Sequence, residues 1–550
     1  MIQEVFMRSG KLIVLLSGEI CTGKSKLCEN LERQFGFKIL KTKDALKQIA
    51  SERKRKLGKD RVALQKLGES LDKETEGTWV RDFFQREVLD NEKVVIDATR
   101  ILTQIDAFRK SYGHSVFHVH LMAAPDELKK RFLRRKDIDD TDANLSNLYE
   151  KIKADRTEKQ VNSLEKKADI VIDTGRNKPE DVLIRVCGFL KVLPPINNQL
   201  VDVLVGGQFG SEGKGQIAAY LAPNYDCLVR VGGPNAGHKV YAEPEPHVFH
   251  IIPSGSVKNA KAKLIIGPGA VISKEVILDE IKRFNIYEAD RLLIDANATI
   301  ITEGDKKYEE KHSRIGSTAQ GVGKATADNI LKRIKEIDKH KAKHCKELKQ
   351  YIGSSHEQLE KLFAHNKKIL LEGTQGTHLS IYHGIYPYVT SRDTTAGGCL
   401  AEAGIAINRV RKIIMVARTY PIRVQSPLNG TSGDFQSDEI SLEEIQKRSG
   451  VPLDELTKTE MTSTTKKKRR IAEFSWALFR KACELNSPTD IALTFADYIT
   501  YKNQEARRYD QLSPETMKLI EGIERCAGVP VSLISTRFSY RSIIDKRNWI

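Results

Sequence analysis

Two short stretches of this 550-residue chain have the residue types and spacing of loops that hold phosphate. The first, SGEICTGKSKL, carries Gly18, Gly23, Lys24 and Ser25 in the order G-x-x-x-x-G-K-S, behind an apolar run and ahead of a helix-forming one. In that context backbone N–H groups and the helix N-terminus cradle phosphate oxygens. Lys24 reaches the β and γ oxygens, and the Ser25 hydroxyl holds magnesium. The second stretch, GGQFGSEGKG, spans 206–215 and again follows an apolar run. Gly210, Gly213 and Lys214 suit phosphate, but Gly215 stands where the first loop has its magnesium-binding hydroxyl. Ser211 occupies the middle of this loop beside Glu212, where a carboxylate would be the more useful residue.

Loops of this kind need a strand behind and a helix ahead. Short β-branched runs at 12–16, 94–97, 170–173, 201–205, 264–266, 369–371 and 413–416 alternate with longer charged segments of helical period. That alternation predicts α/β layers with mostly parallel strands in both halves. KVLPPINNQL, with two prolines and two asparagines, predicts a linker at 191–200 between a domain at 1–190 and another at 201–550. The Lys-, Glu- and His-rich segment 325–362 has apolar residues at helical spacing and reads as helices with a solvated face.

A chain of this length exceeds one hydrophobic core. Its hydrophobic share of 40% and charged share of 30% describe a globular protein, and no apolar run approaches the roughly 18 residues of a membrane span. The N-terminus lacks the layout of a secretion signal, so the expected location is the cytoplasm. Eight scattered cysteines without zinc-ligand spacing read as reduced thiols. The net charge of +17 favours polyanionic partners, which include nucleotides and nucleic acids alike. No basic platform interleaved with aromatics supports nucleic acid.

RVALQKLGES, VVIDATR, RFLRRK and the ending ADIVID follow the first loop in order. Residues 10–185 resemble P-loop kinases of the deoxynucleoside monophosphate and dephospho-CoA type. The resemblance implies a three-layer kinase-like fold. It implies Arg61 and Arg100 on the acceptor phosphate, with Arg131, Arg134 and Arg135 closing a lid over the γ-phosphate, since the planar guanidinium fork grips phosphate oxygens. Asp44 is a candidate for orienting the acceptor. Taken singly, each of these has a solvated helix face as its plain alternative.

After the second loop come VRVGGPNAGHKVY, IIPSG, SRIGSTAQGVG, LEGTQGTHLSIYHGIYPYVTSRDTTAGG, ARTYPIRV, TSTTKKKRR and VSLISTRFSYRS. This ordered series resembles adenylosuccinate synthetase from residue 201 to the C-terminus. The resemblance implies a ligase that uses a nucleoside triphosphate and magnesium to join L-aspartate to C6 of a 6-oxopurine nucleotide, and a homodimer. Members phosphorylate O6, displace the phosphate with the amine of aspartate, and take the purine N1 proton with an Asp at the position of Ser211. General base catalysis is worth roughly 10² to 10⁴ in rate, and a neutral hydroxyl does not inherit it.

Three readings follow: a guanine-type substrate such as dGMP, whose 2-amino group gains room beside a small residue; an IMP substrate; or a nucleotide-sensing protein without turnover. The 2-aminoadenylosuccinate synthetases within the family also have a small residue there. In the first reading the proton goes to water ordered by Ser211 and Glu212, or to the triphosphate. The resemblance further implies His238 as the acid on the 6-phosphoryl oxygen and Lys214 on the γ-phosphate. It places Asn235, Thr318, Gln375, Thr390 and Arg423 around the purine nucleotide, Thr464, Thr465, Lys467 and Arg469 on aspartate, and the Gly237 carbonyl on magnesium. Asp497 would read the donor base. Phe495 replaces the usual lysine and would stack on any base, leaving ATP and GTP both open as donors.

Overall fold

The computed structural model describes residues 11–54, 61–87, 92–134, 142–154, 156–242, 245–312, 318–332, 338–427, 430–461, 468–539 and 542–548. The chain divides between two adjacent prolines into Met1–Pro194 and Pro195–Ile550, each with its own sheet.

In the first unit, β1 (Leu12–Ser17), β2 (Lys38–Leu40), β3 (Lys93–Ile96), β4 (Val116–Met122) and β5 (Ile170–Asp173) pair in parallel in the order β2-β3-β1-β4-β5. Every residue of β1 is buried, because helices cover both faces of the sheet. Ile13 and Leu15 pack with Phe84 and Phe108 on one side, and Leu12, Val14 and Leu16 with Leu31 and Val186 on the other. Each such side chain contributes about 1.5–3 kcal/mol by leaving water.

The second unit is built on ten strands in the order Ile352–Gly353, Leu292–Asp295, Lys263–Ile266, Cys227–Arg230, Ile369–Glu372, Val201–Gly206, Val410–Arg418, Asp490–Thr494, Val531–Ser535 and Ile543–Asp545. All neighbours pair in parallel except the last two. Val201, Val203 and Val205 face one core while Leu204 faces the other, the alternation expected of a strand covered on both sides. Asp202, on the Leu204 face, is fully buried and matched by Arg411 at 2.9 Å and by the Tyr225 hydroxyl at 2.5 Å. Because these strands are parallel, the motif-bearing loops after residues 206, 230, 372, 418 and 494 all leave from the same edge.

The segment 325–362 is helical at both ends, as expected, and departs from the helical expectation at 342–353. The helix Val322–Leu331 stops, 3-10 turns follow at Ala342–His344 and Lys346–Tyr351, then a two-residue strand, and a new helix starts at Ser355. The Ser354 hydroxyl caps that helix by accepting from the Glu357 N–H, and Leu348 and Tyr351 are buried by the turns. Tertiary packing of those two residues overrides the helical period. Among the described residues no helix is long and apolar enough to cross a membrane, and no two cysteines form a disulfide.

Candidate functional site

The two phosphate loops share a backbone despite their different sequences. Gly23 and Gly213 each take φ 91° as the residue before a helix, and Lys24 and Lys214 each begin that helix. Three residues before the lysine, Cys21 (φ 64°) and Ser211 (φ 54°) are both left-handed.

In the first loop the Lys24 ammonium donates to the carbonyls of Gly18 (2.5 Å) and Glu19 (2.8 Å), and Ser25 is exposed beside it in the first helical turn. Glu19 is gripped by Lys153 and by Asn162 at 2.6 Å. Arg100 does not stand open to a phosphate: it pairs with Glu158, a buried carboxylate, at 2.6 Å. Nor is Arg131 poised as a lid. Its guanidinium donates to the Thr174 carbonyl (2.8 Å) and hydroxyl (3.0 Å) and pairs with Glu127 at 2.9 Å. Arg134 and Asp44 are exposed, Asp44 lying 3.9 Å from Lys47. The side chains of Arg61 and Arg135 lie outside the described residues. Asp97, just beyond β3, escaped the sequence reading although VVIDATR contains it; it accepts from the Thr42 N–H at 2.8 Å.

In the second loop Glu212 is fully buried and committed. Its Oε1 accepts from the N–H groups of Gln208 (3.1 Å) and Gly210 (2.8 Å), and its Oε2 from Lys214 at 2.5 Å. It shapes the loop. Ser211 is exposed. Gly215 has a steric reason: a Cβ there would lie 2.8 Å from the His238 Cβ, so only glycine lets His238 pack against the start of this helix.

His238 Nδ1 meets Glu372, which also accepts from the Ser254 hydroxyl and N–H (2.7 Å) and lies 3.4 Å from Arg230. Burial, and then the charge of Arg230, push His238 down to about 4, so it is neutral at pH 7. Burial acts to raise Glu372, but Arg230 and the His238 and Ser254 bonds outweigh it and hold the carboxyl at about 2. Glu372 lies in LEGTQG yet drew no attention in the sequence, because nothing in one strand reveals that its last residue faces a histidine 134 positions earlier.

Asn235, Thr318, Gln375, Thr390 and Arg423 line one cavity of about 310 Å³ together with Phe209. Arg423 donates to the carbonyls of Ser432 (2.8 Å) and Tyr388 (3.0 Å) and sits 4.5 Å from the Phe209 ring. Burial and the neighbouring Arg470 push it down to about 10, still cationic at pH 7 and suited to an anion. The Asn235 Oδ1 is buried without a partner among the described residues, an open acceptor for a ligand donor. Glu309, another lining residue missed in the sequence, accepts from the N–H groups of Gly321 (2.7 Å) and Gly323 (2.6 Å) at the head of a helix.

Thr494 ties its strand to the phosphate loop by donating to the Glu212 carbonyl at 2.6 Å. Beyond it, Phe495 is left-handed (φ 58°) and its ring covers Arg418 at 3.9 Å, which occupies one of its faces. Asp497 is buried with Oδ1 unpartnered among the described residues, and burial raises it to about 7. Arg469 lies 3.5 Å from the buried Glu460. Thr464, Thr465 and Lys467 lie outside the described residues. Among the described residues no three His, Cys, Asp or Glu side chains gather as a cation cage. The hydroxyl of Ser25 and the half-buried backbone of Gly237 offer single hard oxygens, a donor set that fits magnesium carried largely by phosphate oxygens.

Comparison with known proteins matches this architecture. The family model described as adenylosuccinate synthetase covers residues 203–339 and 331–504, and one described as an AAA domain covers 21–149. The adenylosuccinate synthetase of Methanocaldococcus jannaschii is 38% identical over 356 residues, 63% of this chain and 96% of that protein. Among solved structures, the cyanophage S-2L succinoaminodeoxyadenylate synthetase PurZ, bound to dGMP and to dATP as an energy donor, aligns with a TM-score of 0.54 and 25% identity over 64% of this chain and 97% of its own. The fully ligated adenylosuccinate synthetase of Plasmodium falciparum has the same fold, with a TM-score of 0.52 and 22% identity over 63% of this chain and all of its own. With a loop-and-histidine site at the carboxyl edge of a parallel sheet and a match over more than half its length, the chain belongs to the adenylosuccinate synthetase family, purine-biosynthetic C–N ligases, and carries a kinase-like P-loop unit ahead of the synthetase.

Proposed function

We propose that the second unit joins L-aspartate to C6 of a guanine nucleotide, dGMP or GMP, giving the 2-amino-N6-succinyl adenine nucleotide, and that the first unit is a nucleoside monophosphate kinase. One observation carries the ligase reading. The only carboxylate of loop 206–215 is Glu212, and it is consumed by two N–H groups and Lys214, which leaves the small Ser211 at the position where the family's Asp removes the N1 proton. At that position the small Ser211 leaves room for a 2-amino group that an Asp side chain would take. The dGMP bound by the phage synthetase supports the same direction.

In the reaction, O6 attacks the γ-phosphorus and the nucleoside diphosphate leaves. The amine of aspartate then attacks C6 and inorganic phosphate leaves. The N1 proton passes to water ordered by Ser211 and Glu212, or to the triphosphate. Lys214 exchanges Glu212 for the γ-phosphate, and protonated His238 donates to the phosphoryl oxygen. The cavity residues Asn235, Thr318, Gln375, Thr390 and Arg423 hold the nucleotide, and Arg469 with Thr464, Thr465 and Lys467 holds aspartate. Ser25 in one unit and the Gly237 carbonyl in the other would hold magnesium, which supplies charge neutralisation on the transferring phosphoryl group. The donor is ATP or GTP. The absence of a lysine at Phe495 and the dATP of the phage enzyme favour adenine. A homodimer through the second unit completes the proposal.

The test is phosphate release by the full chain with L-aspartate, magnesium and ATP or GTP, comparing dGMP, GMP and IMP, with mass analysis of the product. A succinyl adduct of dGMP or GMP is the expected result. Turnover of IMP alone would return the enzyme to the reaction named for its relative of 38% identity, the observation that favours this second reading.

A further inference from the structure

We propose that Glu372 is the positioning residue for His238, holding the imidazole by Nδ1 so that Nε2 is the nitrogen offered to the phosphoryl group. The proposal rests on the reading of His238 given above.

The geometry is fixed by two neighbouring parallel strands whose last residues, Glu372 and Arg230, stand in register. Both side chains are 2% exposed. Glu372 Oε1 is shared by His238 Nδ1, the Ser254 hydroxyl and Arg230 at 3.4 Å, while Oε2 takes the Ser254 N–H at 2.7 Å. A carboxylic acid would lose an acceptor at this crowded oxygen, so the arrangement requires the ionised form. Arg230 supplies the compensating charge. Its remaining donors reach the carbonyls of Ala236, Phe249 and Ile252, each at 3.2 Å, which braces the loop leading into His238.

With the carboxylate as acceptor, the Nδ1 proton is fixed on that side of the ring, and no protein group among the described residues is bonded to Nε2. Glu372 thus sets which nitrogen of His238 faces the phosphoryl group and holds the ring in that orientation. The charged groups facing the ring are Glu372, Arg230 and Lys214.

The experiment uses the full chain and whichever of dGMP and IMP it turns over. Glu372→Gln keeps the shape but removes the charge, and its amide can turn N–H toward Nδ1 and force the wrong tautomer. The expected result is a fall in kcat of at least about 100-fold, with KM for aspartate within about 2-fold of the parent. The high-pH limb of the kcat profile should move to lower pH, because the lost carboxylate no longer supports the imidazolium. Glu372→Asp should restore the profile in part. In a His238→Ala background, Glu372→Gln should have no further effect on kcat. Independently of activity, 15N NMR of the histidine ring in the ligand-free protein should show the Nδ1–H tautomer. An Nε2–H tautomer, or a folded Glu372→Gln enzyme with unchanged kcat and pH profile, overturns the proposal even where His238→Ala is inactive. If His238→Ala retains full activity, the underlying reading of His238 fails first, and the two failures are told apart.

Discussion

Ser211 adopts a backbone conformation that glycine, asparagine and aspartate tolerate better than serine does. A non-glycine residue in that region carries roughly 1–2 kcal/mol of strain, least where a short polar side chain bonds locally. Ser211→Asp should therefore fold at least as stably as the parent, and it returns a carboxylate to the N1 edge. The expected outcome is a fall of about 10-fold or more in kcat/KM for dGMP relative to IMP, read by phosphate release with each nucleotide. An unchanged ratio would remove the support for a guanine-type substrate. Gly215 is the complementary case. With a Cβ only 2.8 Å from the His238 Cβ, Gly215→Ala must displace one of them. Overpacking of this kind costs about 1–3 kcal/mol, so denaturant unfolding should report that loss together with reduced ligase turnover.

At the scale of an element, β4 of the first unit carries two buried histidines directly beside the phosphate loop. His118 Nε2 and His120 Nδ1 both reach the Ser17 hydroxyl, at 2.6 and 2.8 Å, where β1 gives way to Gly18. A hydroxyl can donate to one ring and accept from the other only while the accepting ring is neutral, so both cannot be protonated. Burial lowers both, His118 to about 4. Since the folded value lies below the unfolded one near 6.5, the unfolded chain binds the extra proton first. The stability is present above about pH 6.5 and is lost as pH falls toward 4. For His118 alone that is on the order of 3 kcal/mol. Urea unfolding of the first unit between pH 7 and 4 should show the loss, and His118→Gln should flatten the slope. The helix-spaced segment 325–362 is the opposite kind of element. Its period was legible, but Leu348 and Tyr351 are buried by 3-10 turns that no local propensity specifies.

For the whole molecule, the two phosphate loops belong to separate compact units with separate sheets. Lys24→Ala should abolish phosphoryl transfer to a nucleoside monophosphate and leave aspartate-dependent phosphate release unchanged. His238→Ala should do the reverse. Loss of both activities in either variant would mean that the units do not work independently. A pair of assays on the intact chain, one for nucleoside diphosphate formation and one for the succinyl adduct, separates these outcomes.

The sequence by itself determined the two-unit α/β plan, the seven β-branched runs that became strands, and both phosphate loops. Each of these depends on neighbours within about twenty residues, where periodicity and glycine spacing act directly. Asn235, Thr318, Gln375, Thr390 and Arg423, named from the family resemblance, line one cavity. Only the tertiary structure decided what the charged side chains do. Glu212 turns inward onto Lys214, Arg100 is taken by Glu158, Arg131 by Thr174, and Glu372 is brought to His238 by two adjacent parallel strands. A buried charge must find a partner wherever the fold places one, and parallel strands bring together residues more than a hundred positions apart, so these pairings follow from topology rather than from any local pattern.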